Sequence, residues 1–188
     1  MNANKLVIGL AGMPGSGKSL VVQAAQERGY GVITMGDVVR EETAKQGLEP
    51  TPENVGKVML ELRKKSGEEV IAEKCVPKIA KVKSQKVMVD GLRSYVEAET
   101  FQKTLANFVL VAVHASPKTR FKRLSTRGRS DDPKTWEVFH VRDIRELDVG
   151  IGRAIALAEY VIINDGTKEA LGKKAVEVFK KAESAWTK

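Results

Sequence analysis

The chain has 188 residues, of which 42% are hydrophobic and 30% charged, with a formal net charge of +8. That length can bury one full core, and no apolar run approaches the roughly 20 residues that a membrane-spanning helix needs. The positive excess suits an acidic ligand, nucleotide or RNA. The single cysteine, Cys75, excludes an internal disulfide and fits a reducing, cytoplasmic setting.

In chain order, "MNANKLVIGL" runs straight into a first buried strand, which argues against a signal peptide. The strand leads into "GLAGMPGSGKSL", where Gly12, Gly17, Lys18 and Ser19 fit the spacing G-x-x-x-x-G-K-[ST]. Glycines let the chain turn tightly enough for successive N–H groups to converge on an anion. The helix that follows adds unpaired N–H donors and the positive end of its dipole. The predicted nucleotide-binding loop is therefore Gly12, Met13, Pro14, Gly15, Ser16, Gly17, Lys18, Ser19 and Leu20. Lys18 can reach the β- and γ-phosphates of ATP, and the Ser19 hydroxyl can ligate Mg²⁺.

The helix after the loop is expected to end near Gly29, before a second strand in "YGVITM". Two or three helices then occupy residues 36–85. Thr51-Pro52-Glu53 is a helix start, and Ser66-Gly67-Glu68-Glu69 reads as a capping box opening the next. Pro77 is expected to bend or divide that helix. Ile71, Cys75, Ile79 and Val82 share one face, so Cys75 is read as a core thiol. "KVMVD" is the third strand, and Asp90 at its end can steer a Mg²⁺ shell through water. "FVLVAV" is the fourth strand. After it, "KTRFKRLSTRGR" carries six basic residues and no acidic one, with Arg120, Arg123 and Arg127 able to share a helical face. A polar loop, a helix through "WEVFHVRDIREL" and a fifth strand, "YVII", follow. A final amphipathic helix turns Leu171, Ala175, Val178, Phe179, Ala182 and Trp186 to the sheet. The strands are apolar at consecutive positions, as in a parallel sheet covered on both faces. The expectation is one α/β domain over residues 1–188.

These motifs resemble nucleoside monophosphate kinases and dephospho-coenzyme A kinases over nearly the whole chain. They also resemble a mostly archaeal family of nucleotide-kinase-related proteins. The resemblance is carried by "GLAGMPGSGKS", "VITMGDVVREE", "VMVDGLR", "SPKTRFKRLSTRGRSDD" and "AEYVIINDGT". It implies a P-loop nucleoside-kinase-like fold, a five-stranded parallel sheet flanked by helices. An acceptor-binding insertion would cover about 36–85 and a lid about 120–145. By the resemblance, Arg40 and Arg93 grip the acceptor phosphate, although the proline that precedes the second arginine in adenylate kinases is missing here. Asp37 is either a base toward a hydroxyl acceptor or a helix cap. Arg123 would stack on the adenine and Arg127 would reach the transferring phosphoryl group. Arg129, Asp131-Asp132 and Arg142 resemble the lid's far side, and Asn164 with Gly166 would turn the backbone against the adenine. His114 and His140 are read as structural, and with no cysteine or histidine cluster the lid is expected to carry no zinc.

The leading expectation is an ATP- and Mg²⁺-dependent kinase with Lys18, Asp37 and Arg127 as catalytic residues and a nucleotide-like small-molecule acceptor. A nucleotide-switched RNA or ribosome-assembly factor would suit the charge equally well. It is not favoured, because the chain has no basic tail and aromatics are only 5%. A regulatory ATPase is the third reading. The sequence leaves the acceptor and the oligomeric state open.

Overall fold

The structure, a computed structural model, describes residues 4–129 and 132–187. Five strands form one parallel sheet in the order β2-β3-β1-β4-β5: β1 (Leu6–Ala11), β2 (Gly31–Thr34), β3 (Lys86–Leu92), β4 (Phe108–His114) and β5 (Tyr160–Ile163). The five apolar runs seen in the sequence are these strands. Alternate side chains enter two separate cores, which explains why the runs are apolar at successive positions. Val7, Val87, Val89 and Leu110 face one core with Ile33 and Phe101. Leu6, Ile8, Met88 and Val111 face the other with Val21, Leu171 and Phe179.

The second core lies under α1 (Lys18–Glu27) and α9 (Lys168–Trp186). The expected inward residues Leu171, Ala175, Phe179 and Ala182 are buried there, with Val178 and Trp186 packed at the margin. The first core lies under α2 (Met35–Lys45), α3 (Pro52–Ser66), α4 (Val70–Lys81) and α5 (Tyr95–Thr104). Cys75 is fully buried on α4, and burial pushes its thiol pKa up to about 12, consistent with a core residue.

Two local expectations are corrected. Ser66 does not cap a new helix; it is the last residue of α3, and Gly67, with φ 96°, ends that helix in a conformation that favours glycine. The next helix opens after Glu69 without a side-chain cap. Of the two effects expected of Pro77, bending or dividing, division is excluded, because α4 continues through Lys81. The missing N–H costs one ladder bond, while buried Ile71, Ala72, Cys75 and Ile79 pin the helix on both sides of it.

Between β4 and β5 stand α6 (Pro117–Arg127), α7 (Trp136–Asp148) and α8 (Ile151–Ala156). Pro117 at the first position and the Ser116 hydroxyl, which accepts from the Thr119 N–H, start α6, and Gly128 in the left-handed region stops it. An aromatic cluster of Phe121, Trp136 and Phe139, with centroids 5.2–5.5 Å apart, joins α6 to α7. No helix among the described residues is long and apolar enough to cross a membrane.

Candidate functional site

A cavity of about 1040 Å³ opens at the carboxyl ends of the strands, where β1 runs into α1 and β3 ends at Asp90 to Leu92. All of the loop from Gly12 to Leu20 lines it except Met13 and Ser16, which are buried. Two glycines in the loop are required by sterics. A Cβ on Gly12 would lie 2.5 Å from the Val113 carbonyl oxygen. A Cβ on Gly17 would lie 2.2 Å from Asn164 Nδ2, and Gly17 also has φ 105°. That amide donates to the Ser16 carbonyl at 2.7 Å, so the end of β5 supports the loop from behind. Gly17 caps α1 without a side chain, and the helix has no acidic residue in its first turn. Its N–H donors and dipole are left to an anion.

Lys18 lines the cavity at the start of α1. Its ammonium donates to the Gly12 and Met13 carbonyls, the second at 3.4 Å. Burial lowers its pKa, which Asp90 opposes and Arg93 reinforces. Asp90 is the complement: burial raises its carboxyl pKa, and Lys18 opposes that shift. Asp90 Oδ1 is buried with no hydrogen-bond partner among the described residues. A stranded carboxylate oxygen in the cavity that Ser19 also lines suits a hard divalent cation such as Mg²⁺, which takes oxygen ligands and retains water. No cluster of three or more His, Cys, Asp or Glu residues among the described residues could hold a metal by itself.

The bulge that ends β3 aims Arg93. The register between β1 and β3 shifts after Asp90, with Gly91 as the extra residue at φ 99°. The Arg93 N–H then donates to Glu97 Oε2 at 2.8 Å, within the capping box that Ser94 and Glu97 form at the start of α5. Arg93 lines the cavity despite the missing proline, and its guanidinium reaches Glu146 at 3.1 Å.

Arg40 also lines the cavity, from α2, and Asp37 binds its guanidinium, with Nε donating at 3.0 Å. Asp37 itself is exposed and is not among the lining residues. It does not cap the helix either; Thr34 holds that position and Asp37 lies in the first turn. From α6, Arg123 and Arg127 both line the cavity. Arg123 donates to the Asn164 carbonyl at 3.0 Å and its Oδ1 at 3.3 Å, tying α6 to the turn after β5. Arg127 Nε donates to Asp132 Oδ2 at 3.1 Å, and the buried Asp132 carboxyl is held below its usual range chiefly by that arginine. Arg129 and Arg142 line the same cavity, whereas Asp131 lies outside the described residues. Arg120 departs from its expected neighbours on α6. It is buried with both carboxylate oxygens of Asp143 on α7, so it cannot serve the cavity directly.

Three contributors went unread in the sequence. Glu146 and Lys168 line the cavity, and Asp143 anchors Arg120. Glu146 stands seven residues after Phe139 on the buried side of α7, a spacing that a helical reading of "FHVRDIRE" offers. Among the described lining residues, eight are lysine or arginine and only two, Asp90 and Glu146, are acidic. The cavity is built for anions.

Fold and site together define a P-loop protein of the kinase-like kind. A family model described as an AAA domain matches residues 11–140, a span that holds the phosphate loop, Asp90 and the basic helix. The chain belongs to the UPF0200 family. It is 50% identical over 163 residues to a UPF0200 protein of Hyperthermus butylicus, covering 87% of each chain. It is 46% identical over 180 residues to one of Thermococcus onnurineus, covering 94% of this chain and 97% of that one. Among solved structures, TT1252 from Thermus thermophilus matches with a TM-score of 0.69 at 17% identity, over 95% of this chain and 97% of that one. A shikimate kinase from Bacteroides thetaiotaomicron matches with a TM-score of 0.66 at 17% identity, over 95% and 98%. At that identity the likeness concerns the fold alone.

Proposed function

We propose that the protein is an ATP-dependent phosphotransferase that moves the γ-phosphoryl group of Mg-ATP to a nucleotide-like small molecule. The observation that carries this reading is the convergence of Lys18, Arg40, Arg93 and Arg127, from four separate elements, on one cavity behind a phosphate loop. Phosphoryl transfer needs positioning and neutralised oxygens more than covalent chemistry. Lys18 would hold the β- and γ-phosphates. Arg40 and Arg93, spaced along the α2 and β3 wall, would hold the acceptor. Arg127 would meet charge on the transferring group, and Arg123 with Asn164 would border the base. Ser19 and Asp90 would hold Mg²⁺, which when bound neutralises phosphate charge. Residues 36–85 would act as the acceptor arm and about 120–145 as the lid, closing over the site to exclude water. The lone buried thiol suits a cytoplasmic enzyme.

Asp37 separates two acceptor classes. A hydroxyl acceptor, as on dephospho-coenzyme A, must lose a proton, whereas a monophosphate oxyanion has none to lose. Its engagement with Arg40 favours the oxyanion, because a carboxylate that orients an arginine is not aimed at a proton. The test is a transfer assay with labelled ATP against nucleoside monophosphates, dephospho-coenzyme A and shikimate. The expected result is label in a nucleoside monophosphate. ATP hydrolysis that no acceptor accelerates would overturn the proposal in favour of an ATPase.

A further inference from the structure

Helix α7 turns two faces in opposite directions. Its inner face buries Phe139, Asp143 and Glu146. Its outer face leaves Val138, Val141 and Ile144 between 44 and 60% exposed. Single exposed apolar residues are ordinary, but three together on one face of a 13-residue helix make a patch of the kind that marks an interface.

The order of residues on that face indicates what covers it. At about 100° per residue, Glu137 and Arg145 lie about 40° to either side of Val141, and Val138 and Ile144 about 60°. Counted outward from Val141 in both directions, each residue within about 60° of it meets its complement. Three residues out stand Val138 and Ile144, and four out stand Glu137 and Arg145. Seven out stand Lys134, just before the helix, and Asp148, its last residue. All six are exposed. A two-fold axis requires one surface to complement itself in reverse, and this surface does so in both apolar and charged positions.

We propose that the outer face of α7 is the contact between two copies of this chain, packed antiparallel about a two-fold axis at Val141. Val141 then meets its own counterpart, Val138 meets Ile144, and Glu137 and Lys134 meet Arg145 and Asp148 across the axis. Each of these charges appears twice, so four ion pairs frame a small apolar centre. The inner face of the same helix holds Arg93 through Glu146 and Arg120 through Asp143. Dimerisation therefore braces a helix that walls the cavity, without placing a partner residue inside it.

The test is sedimentation equilibrium of the full chain up to about 200 µM, at low and high salt. The expected result is a rise from the 20.6 kDa monomer to twice that mass, weaker at high salt. V141D should remain monomeric throughout. R145E sets like charges together at two symmetric positions and should weaken association about tenfold or more, while E137R/R145E restores opposite charges and recovers most of it. Both altered residues are exposed, so circular dichroism should show an unchanged fold, and R145E decides the matter should V141D fail to fold. A wild-type monomer at the highest concentration overturns the proposal. So does a dimer that R145E leaves intact, since another surface would then be holding it.

Discussion

Arg120 offers the sharpest test of how α6 and α7 are held together. Its side chain is only 5% exposed and Asp143 only 11%. The guanidinium donates to Asp143 Oδ1 at 2.7 Å and also to Oδ2, while Nε donates to the Ala115 carbonyl at 3.1 Å and Nη1 to the Pro14 carbonyl at 3.4 Å. It also sits 5.0 Å from the centre of the Phe139 ring. Asp143→Ala strands a buried cation that two backbone carbonyls and a ring cannot neutralise. Breaking one side of such an ion pair costs about 3–5 kcal/mol. For a chain of this size each kcal/mol lowers Tm by roughly 2–4 °C, so the expected fall is about 6–20 °C by calorimetry or circular dichroism. Arg120→Leu should cost a similar amount by stranding the carboxylate. The double variant Arg120→Leu/Asp143→Leu leaves neither charge and should recover much of the loss. A fall under about 3 °C for Asp143→Ala, or a double variant worse than the sum of the singles, would refute the reasoning.

Other outcomes follow from the cavity. Lys18→Ala should abolish Mg-ATP-dependent turnover with the fold retained; unchanged turnover would refute its assignment. Arg40→Ala should raise the acceptor KM and spare ATP affinity, whereas Arg127→Ala should lower kcat about a hundredfold or more, the scale of one lost transition-state donor. An identical defect in both, confined to ATP binding, would count against that division. Asp37→Asn should keep a substantial fraction of kcat; a loss of about a thousandfold with acceptor KM unchanged would indicate a hydroxyl acceptor. Asp132 contributes to acid stability, because Arg127 depresses its folded-state carboxyl pKa. That stability is fully present above the unfolded value of about 4 and is lost as pH falls through the folded value. Asp132→Asn should therefore lower stability at neutral pH and flatten its decline below about pH 4, which denaturant melts across pH would measure.

What could be read from the sequence was local. The phosphate loop is a contiguous pattern, and each buried strand announces itself through successive apolar residues such as "VLVAV". The face of α9 follows from a 3.6-residue period alone. What escaped depends on neighbours remote in the chain. Arg120 looked like part of a basic face until Asp143, 23 residues away, claimed it. Ser66 has the composition of a capping box, but the preceding helix extends through it and leaves Gly67 as the stop. Pro77 breaks a local rule that packing on both sides overrides. Arg93 is aimed by a bulge and by Glu97 rather than by a proline, a device with no simple sequence signature.

The three arginines proposed to grip phosphate are each already held by a carboxylate: Arg40 by Asp37, Arg93 by Glu146 and Arg127 by Asp132. An arriving anion is thus an exchange partner, competing with an internal ligand of the same sign. Its affinity is the difference between two ion pairs, so weakly charged anions gain little and a dianion gains most. The guanidinium groups are part-exposed but already oriented by these pairs, which reduces the ordering that binding must otherwise supply. The displaced carboxylates become the cost of occupancy, and their repulsion of the bound phosphate favours release once transfer is complete. A cavity so rich in arginine can in this way discriminate among anions without retaining every one that enters.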